Sequence, residues 1–242
     1  DLMTTDAETA GRYYAELLGW QYHEMDMGEM GRYRMILAGG LGQGGIVQME
    51  PGEDAPPSHW IGYLTVDDVD SAVKQARQLG AKTPVPPSDI PGVGRFAVVA
   101  DPQGAVFSPF TGGDPDEELP ETPPAGVFCW DELLTTDVKS ARKFYVALCG
   151  WQHEEVDMGE TGTYHLLKTG GKDRAGMIAM PAEAEGPPAW LPYVLVADVD
   201  ATARRVEELG GRIFVAPRDI QGVGRFTVTA DPTGAAIAFL SS

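Results

Sequence analysis

Basic residues are scarce in this sequence. Its 242 residues include 18 Lys and Arg against 36 Asp and Glu, which gives a formal net charge of −18. Because such a surface repels phosphate backbones and anionic lipid, we expect neither nucleic acid nor a membrane as a partner. No apolar run reaches the length of a membrane span, and no secretory signal is recognisable.

Cysteine is also scarce. Cys129 and Cys149 are too few for a disulfide scaffold, so free thiols in the cytoplasm are the expectation. The composition is otherwise that of a globular protein, with 43% hydrophobic residues. The chain is long enough for two domains of average size.

One stretch of the sequence occurs twice. Its first copy, 88–110, contains Asp101-Pro102-Gln103-Gly104 between two apolar runs, and its second copy, 218–240, contains Asp231-Pro232-Thr233-Gly234 in the same place. Asp-Pro-x-Gly is typical of a type I turn. Each copy therefore predicts a β-hairpin at the end of a larger sheet.

Other matches show that the two halves are duplicates from end to end. Thr4-Thr5-Asp6 corresponds to Thr135-Thr136-Asp137, and Asp26-Met27-Gly28-Glu29 to Asp157-Met158-Gly159-Glu160. We predict a first domain at 1–112 and a second at 125–242. The segment 113–124 is rich in Pro, Asp and Glu and predicts a linker.

Each half repeats one order of elements twice. The first helix is predicted by a stripe of buried-type residues from Ala10 to Leu18, with Asp6 as its N-cap and Gly19 as its C-terminal stop. A strand precedes this helix and three strand-like runs follow it. The chain therefore predicts an α+β protein of four βαβββ modules.

This order resembles the vicinal oxygen chelate superfamily of glyoxalases, bleomycin-resistance proteins and extradiol dioxygenases. The matching signatures are Thr-Thr-Asp before a helix, Leu-x-Gly-Trp after it, Val-Asp-Asp-Val-Asp at 66–70, and Asp-Pro-x-Gly near each domain end. The resemblance implies that the two modules of each half form an open eight-stranded cup. In that superfamily the cup holds the ligand and a metal ion.

The resemblance also implies metal ligands, usually His, Gln or Glu, at set places. In this sequence those places hold Trp130, Ile61, Leu191, Ser108 and Ala238. A divalent ion needs several O or N donors, and only Ser108 offers one. We therefore expect no metal site at these places and predict no cofactor.

Histidine does not supply a replacement. His23, His59, His153 and His165 occupy no matching places in the two halves and form no His-x-His or His-x-x-x-His pattern. We expect structural or surface roles for them. A divalent metal remains the expected cofactor only if the ligands are unconventional.

The hairpin register predicts which polar groups enter the cup. If Asp101 pairs with Gly104, Ser108 lies opposite Ala97 and Arg95 lies on the same face. The same reasoning applied to both halves gives the ligand-binding candidates Asp1, Tyr63, Arg95, Glu132, Tyr193 and Arg225. Two readings stay open: Asp1 and Glu132 neutralise the two arginines, or the arginines bind a small aromatic or carbonyl ligand that carries an acidic group.

Three functions remain in competition. The first is a metal-free cup that binds a small organic molecule, as bleomycin-resistance relatives do. The second is a metal-dependent lyase or dioxygenase with unconventional ligands. The third is a metal-independent enzyme that uses Glu132 or Asp1 as a base. The four modules allow a monomer or a homodimer.

Overall fold

The computed structural model describes residues 1–28, 31–50, 52, 56–112, 123–159, 162–181, 184, 186–220 and 222–241. Within these residues the helices are α1 Ala7–Leu18, α2 Val69–Gln78, α3 Val138–Cys149 and α4 Val199–Glu208. None of these helices is long and apolar enough to cross a membrane. The strands of the first half are β1 Leu2–Thr4, β2 Gln21–Asp26, β3 Arg32–Ala38, β4 Leu41–Gln48, β5 His59–Trp60, β6 Gly62–Thr65, β7 Lys82–Ile90, β8 Gly94–Ala100 and β9 Val106–Gly112. Those of the second half are β10 Phe128–Thr135, β11 Gln152–Asp157, β12 Thr163–Thr169, β13 Lys172–Ala179, β14 Ala189–Leu195, β15 Arg212–Ile220, β16 Gly224–Ala230 and β17 Ala236–Ser241.

The sheets have the topology of four βαβββ modules, which confirms the predicted α+β class. In the second half, eight strands form one open sheet in the order β11-β12-β13-β10-β14-β17-β16-β15. In the first half, Ile61 separates β5 from β6, so the strands form a five-stranded sheet, β2-β3-β4-β1-β5, and a four-stranded sheet, β6-β9-β8-β7.

The chain has two compact units, and each contains modules from both halves. One unit holds the first and fourth modules, and the other holds most of the second and third. In the first unit α1 and α4 contribute Tyr14 and Val206 to one buried core. In the second unit α2 and α3 contribute Val73 and Tyr145 to another. The division into domains at 1–112 and 125–242 remains a prediction, and most of the linker lies outside the described residues.

Local signals in the sequence explain the helix ends. The Asp6 carboxylate accepts a hydrogen bond from the Thr9 amide at 3.0 Å, which satisfies a backbone donor at the start of α1. The helix ends at Gly19, whose φ of +71° is the left-handed conformation that glycine adopts without strain. In the third module α3 repeats both features with Asp137 and Gly150. The predicted N-cap and stop of α1 are confirmed.

The aspartate of the first Asp-Pro-x-Gly turn is buried and fully engaged. Asp101 Oδ1 accepts hydrogen bonds from the amides of Gln103, Gly104 and Ala105 at 2.8, 2.8 and 3.0 Å. Its Oδ2 accepts from the hydroxyl of Tyr145, on α3 of the same unit, at 3.1 Å. Burial raises the pKa of Asp101, although these hydrogen bonds act in the opposite direction.

The second turn repeats this arrangement. Asp231 accepts from the amides of Thr233 and Ala235, and its Oδ2 accepts from the hydroxyl of Tyr14 at 3.1 Å. Tyr14 lies on α1, so this hydrogen bond joins the first and fourth modules within their unit. The turn motif therefore connects each hairpin to a helix from the other half of the chain.

The hairpin register differs from the prediction by one residue. The amide of Asp101 donates to the carbonyl of Ala105 at 2.8 Å, and Gly104, with φ of +105°, is an extra residue inside the turn. Arg95 therefore pairs with Thr111, one residue beyond the predicted partner. The predicted register is wrong because it treated Asp101 and Gly104 as the last pair of the ladder.

We expect Tyr145→Phe to lower the free energy of unfolding by about 1–3 kcal/mol, since it removes a buried hydrogen-bond partner. The hydroxyl donates to Asp101 and also accepts from Trp190 Nε1 at 3.0 Å, so both groups would lose their contact. Urea unfolding measures the effect. Tyr14→Phe is the matched change in the other unit and should cost a similar amount. A loss below about 0.5 kcal/mol in both variants would contradict this account.

Candidate functional site

The corrected register moves the two candidate arginines to the other face of their sheets, because a one-residue shift reverses every side chain. Arg95 shares a face with Ala97 and Val99, which are fully buried in the core that contains α2. The prediction had placed Arg95 on the face of Ser108. In the second hairpin Arg225 pairs with Ser241 and is displaced in the same way.

Arg95 forms ion pairs with two aspartates of its own module. Its Nε and Nη2 donate to Asp70 at 2.7 and 3.1 Å, and its Nη1 donates to Asp89 at 2.8 Å. This bidentate contact holds the pKa of Asp70 below its usual value. Asp70 lies in the first turn of α2, so Arg95 connects that helix to the β7–β8 hairpin. The sequence left open whether Asp1 neutralises Arg95, and in this structure Asp70 and Asp89 do so.

Arg225 repeats these contacts in the fourth module. Its Nε and Nη2 donate to Asp200 at 2.6 and 2.9 Å, and its Nη1 donates to Asp219 at 2.9 Å. The open alternative in which Glu132 neutralises Arg225 is likewise replaced by ion pairs with Asp200 and Asp219.

An open depression of about 400 Å³ borders this ion pair and is lined by Asp219, Ile220, Gly222, Val223, Gly224, Arg225 and Ser241. A ligand-binding role for either arginine remains a prediction, and every guanidinium nitrogen already has an acceptor.

The metal ion that the superfamily implies does not fit the places where its ligands are expected. Ser108 Oγ donates to the carbonyl of Ala97 at 2.8 Å, and Trp130 Nε1 donates to the hydroxyl of Tyr164 at 2.9 Å. Trp, Ile, Leu and Ala side chains offer no lone pair that binds a divalent ion. The remaining three places carry such apolar side chains: Ile61, Leu191 and Ala238.

A tyrosine hydrogen-bonded to a carboxylate occurs in each half instead. The Tyr33 hydroxyl donates to Asp1 Oδ1 at 3.0 Å. In the second half the Tyr164 side chain is hydrogen-bonded to Glu132. Asp1 and Glu132 are two of the predicted site residues, and Tyr33 and Tyr164 are new. We call these the tyrosine–carboxylate pairs.

Both pairs lie on the sheet face that points away from the helices, which we call the open face. Side chains alternate along a strand, and Leu133, next to Glu132, is fully buried in the helix-packed core. In the first half Leu2, next to Asp1, is buried in the corresponding core. Glu132 therefore lies on the open face, as predicted, and is 8% exposed.

A glycine makes room for each tyrosine ring. Gly176 is the partner of Glu132 on the neighbouring strand β13, and a Cβ atom added there would overlap the Tyr164 hydroxyl. Gly45 is in the same relation to Tyr33. The ring can therefore lie across the adjacent strand and reach the carboxylate. Any larger residue at either glycine would displace the tyrosine.

The hydrogen bonds around Tyr164 have a defined direction. Because Trp130 Nε1 donates to the Tyr164 oxygen, the hydroxyl proton is available for Glu132. Burial, together with the charge of Glu132, raises the pKa of Tyr164, which keeps the hydroxyl protonated as a donor. A carboxylate accepts several hydrogen bonds, so Glu132 can accept from a ligand in addition to Tyr164.

Tyr63 and Tyr193, the other predicted site residues, also lie on the open face. Tyr63 pairs with Ser108 across β6 and β9, and its ring meets Phe110 edge-on at 5.7 Å. Burial of its hydroxyl raises the pKa of Tyr63, although 44% of the residue is exposed. Tyr193 pairs with Ala238 and is 5% exposed. Their ligand-binding roles remain predictions.

The sequence contains one signal for the two tyrosines, which is that they belong to the repeat. Tyr33 and Tyr164 occupy matching places in the two halves, as do Asp1 and Glu132. The places where the superfamily implies ligands do not include the third strand of a module, on which both tyrosines lie. The missing information is that the ring crosses Gly45 or Gly176, which is a contact between strands.

This fold and its open sheets place the chain in the glyoxalase, bleomycin-resistance and dioxygenase superfamily, and the comparisons with known proteins agree. Residues 1–109 match the family described as "Glyoxalase-like domain", and residues 130–239 match "Glyoxalase/Bleomycin resistance protein/Dioxygenase superfamily". The chain belongs to this superfamily, which confirms the resemblance.

Two similar proteins match nearly the whole chain. One, from Mycobacterium tuberculosis, bears the name "Putative glyoxylase CFP32" and is 34% identical over 99% of this chain and 92% of its own length. The other, from Streptomyces peucetius, is "Anthracycline biosynthesis protein DnrV", which is 30% identical over 97% of this chain and 89% of its own length.

Solved structures share the fold at lower identity. The Mn(II)-bound glyoxalase from Novosphingobium aromaticivorans superposes with a TM-score of 0.65 at 18% identity, over 99% of this chain and 79% of that one. The 2,3-dioxygenase LapB from Pseudomonas sp. KL28 gives 0.62 at 14%, over 100% of this chain and 90% of that one. At this identity the likeness concerns the fold alone.

We expect Gly45→Ala to destabilise the protein by about 1–3 kcal/mol, because the added methyl group overlaps the Tyr33 ring. Gly42→Ala is the matched control on the same strand, since nothing lies within 4 Å of its Cβ place. It should change the stability by less than about 0.5 kcal/mol. Urea unfolding of both variants measures the difference, and equal effects would refute the role assigned to Gly45.

Proposed function

We propose that this protein binds a small aromatic molecule that carries hydroxyl or ammonium donors, without a metal ion at the superfamily's usual ligand places. The observation that carries the proposal is the buried Glu132 on the open face, held by Tyr164, which Trp130 holds in turn. A few converging polar groups among apolar side chains are the usual form of a small-molecule site.

The chemistry of the site favours a ligand with donors. Glu132 is an acceptor when ionised, and the net charge of −18 attracts cations. The acidic ligand predicted from the sequence depends on Arg95 and Arg225 facing the open side, and we propose a ligand with donors instead. The aromatic side chains Trp130 and Tyr164 supply a surface on which a planar ligand can stack.

The names of the relatives narrow the ligand class. Relatives that match most of the chain are named for anthracycline biosynthesis. Anthracyclines combine a planar polycyclic ring, phenolic hydroxyls and an amino sugar that is cationic at neutral pH. Each of these groups has a counterpart in the proposed site: an aromatic surface, a hydrogen-bond acceptor and a negative charge.

A catalytic role for Glu132 is the alternative from the sequence that this geometry favours less. The Tyr164 side chain is hydrogen-bonded to Glu132, so the carboxylate is held as a hydrogen-bond acceptor. Binding uses Glu132 as such an acceptor, whereas proton abstraction requires it to take up a proton. Analysis of the recovered ligand by mass spectrometry distinguishes the two roles, since binding returns the ligand unchanged.

We expect an anthracycline to bind the purified protein, as measured by the change in the ligand's own fluorescence. Glu132→Gln keeps the size of the side chain and removes its charge. It should weaken binding by about 1.5–3 kcal/mol, tenfold or more, which is the scale of a hydrogen bond to a charged group. Tyr164→Phe should weaken binding by about 1 kcal/mol, because it releases the carboxylate from its fixed orientation.

Tyr22→Phe is the control for this experiment. Tyr22 donates to the Gly11 carbonyl at 2.8 Å, so its replacement also removes one tyrosine hydrogen bond. It is not part of the proposed site and should leave the affinity unchanged. No binding to the wild-type protein, or equal binding by wild type and Glu132→Gln with both folded, would overturn the proposal. Tyr33→Phe reports whether the first half contributes a second site.

A further inference from the structure

Two histidines and a glutamate meet on the helix-facing side of the second-half sheet, away from the open face. His153 Nε2 and His165 Nδ1 lie 2.9 Å apart, and His165 Nδ1 lies 4.0 Å from Glu155 Oε1. The donor atoms of all three residues are within 4.8 Å of one another. His153 and Glu155 lie two residues apart on β11, and His165 is the β12 partner of Glu155.

The sequence spacing concealed this cluster. His153 and His165 are brought together only by the pairing of β11 with β12, so no short motif connects them. His153 is the partner of Leu167, which is fully buried in the helix-packed core, and this places the cluster on the helix side. The expectation that the histidines have only structural or surface roles considered neither this pairing nor this face.

The first half shows which residues occupy the three corresponding places when histidine is absent. There the counterparts are Tyr22, Glu24 and Arg34, and Arg34 Nε donates to Glu24 at 2.6 Å. The Arg34 guanidinium lies 5.6 Å from the centre of the Tyr22 ring. The fold therefore brings these places together in both halves. A permanent cation occupies the centre in the first half, and two imidazoles replace it in the second.

We propose that His153, Glu155 and His165 form a binding site for a divalent transition-metal ion, with Zn²⁺ as the best fit. Two imidazole nitrogens and one carboxylate oxygen are a ligand set that Zn²⁺ accepts, with water in the fourth place. The site lies on β11, the edge strand of the sheet, and the Glu155 side chain is 56% exposed, so the ion can enter from solvent. Bound there, the ion joins strands β11 and β12.

A neighbouring cation, Arg142, should lower the affinity of the cluster for a metal ion. Burial, with the nearby charges of Arg142 and His165, lowers the pKa of His153. Arg142 Nη1 lies 3.7 Å from Glu155 Oε1 and competes with a metal ion for this carboxylate. Removal of this guanidinium should therefore strengthen metal binding.

Calorimetric titration of chelator-treated protein with ZnCl₂ tests the proposal. We expect one equivalent of high-affinity Zn²⁺ per chain, and Co²⁺ should give the visible absorption of a tetrahedral complex. His153→Gln and His165→Gln should each lower the affinity at least tenfold. Arg142→Leu should raise it. A variant that binds more tightly than the wild type cannot be explained by loss of folding.

Histidines elsewhere in the chain supply the matched controls. His23→Gln and His59→Gln should leave the isotherm and the Co²⁺ spectrum unchanged. The proposal is overturned if wild type and the folded His153→Gln/His165→Gln double variant bind Zn²⁺ with the same affinity and stoichiometry. It is also overturned if Arg142→Leu binds Zn²⁺ less tightly than the wild type.

Discussion

The buried carboxylate of each Asp-Pro-x-Gly turn is the contact on which the rest of the structure depends. One oxygen of Asp101 holds three backbone amides of its turn, and the other accepts from Tyr145. Asp231 and Tyr14 repeat the contact. Because an isolated buried charge is very unfavourable, the carboxylate requires all of these donors. The motif that shapes a hairpin therefore also fixes which helix packs against it, and this couples a module of one half to a module of the other.

Because of this coupling, the residues on the two faces of each sheet are constrained to different degrees. Helix packing constrains the helix-facing side. At the edge of that side, however, the first half has Arg34 where the second half has His165, and each lies beside a glutamate. None of the four described helices packs on the open face. There a tyrosine–carboxylate pair persists in both halves, while the two carboxylates differ in length, aspartate in one and glutamate in the other.

The sequence predicted the order of elements, the helix caps and the two hairpins, because those depend on local periodicity and on turn and cap chemistry. It predicted Glu132 on the open face for the same reason, since alternation along one strand is reliable. The hairpin register was predicted wrongly because Gly104 is one extra residue in the turn. As a result, Arg95 lies on the helix-facing side of the sheet. Tyr164 was missed because its role depends on the absence of a side chain at Gly176, on the neighbouring strand. Contacts of that kind become visible only when strand pairing is known.

A shared scaffold does not carry a shared reaction with it. The fold matches an Mn(II)-bound glyoxalase with a TM-score of 0.65, yet a metal ion depends on a few converging donor atoms and not on the shape of the sheet. On the open face of this chain, Trp130 stands where the superfamily implies a ligand, and it orients Tyr164. A Lewis acid attracts electron pairs, whereas a carboxylate such as the buried Glu132 accepts hydrogen-bond donors. The polar groups that the open face offers at this place are therefore those of Trp130, Tyr164 and Glu132, and not the ligand set that the superfamily implies.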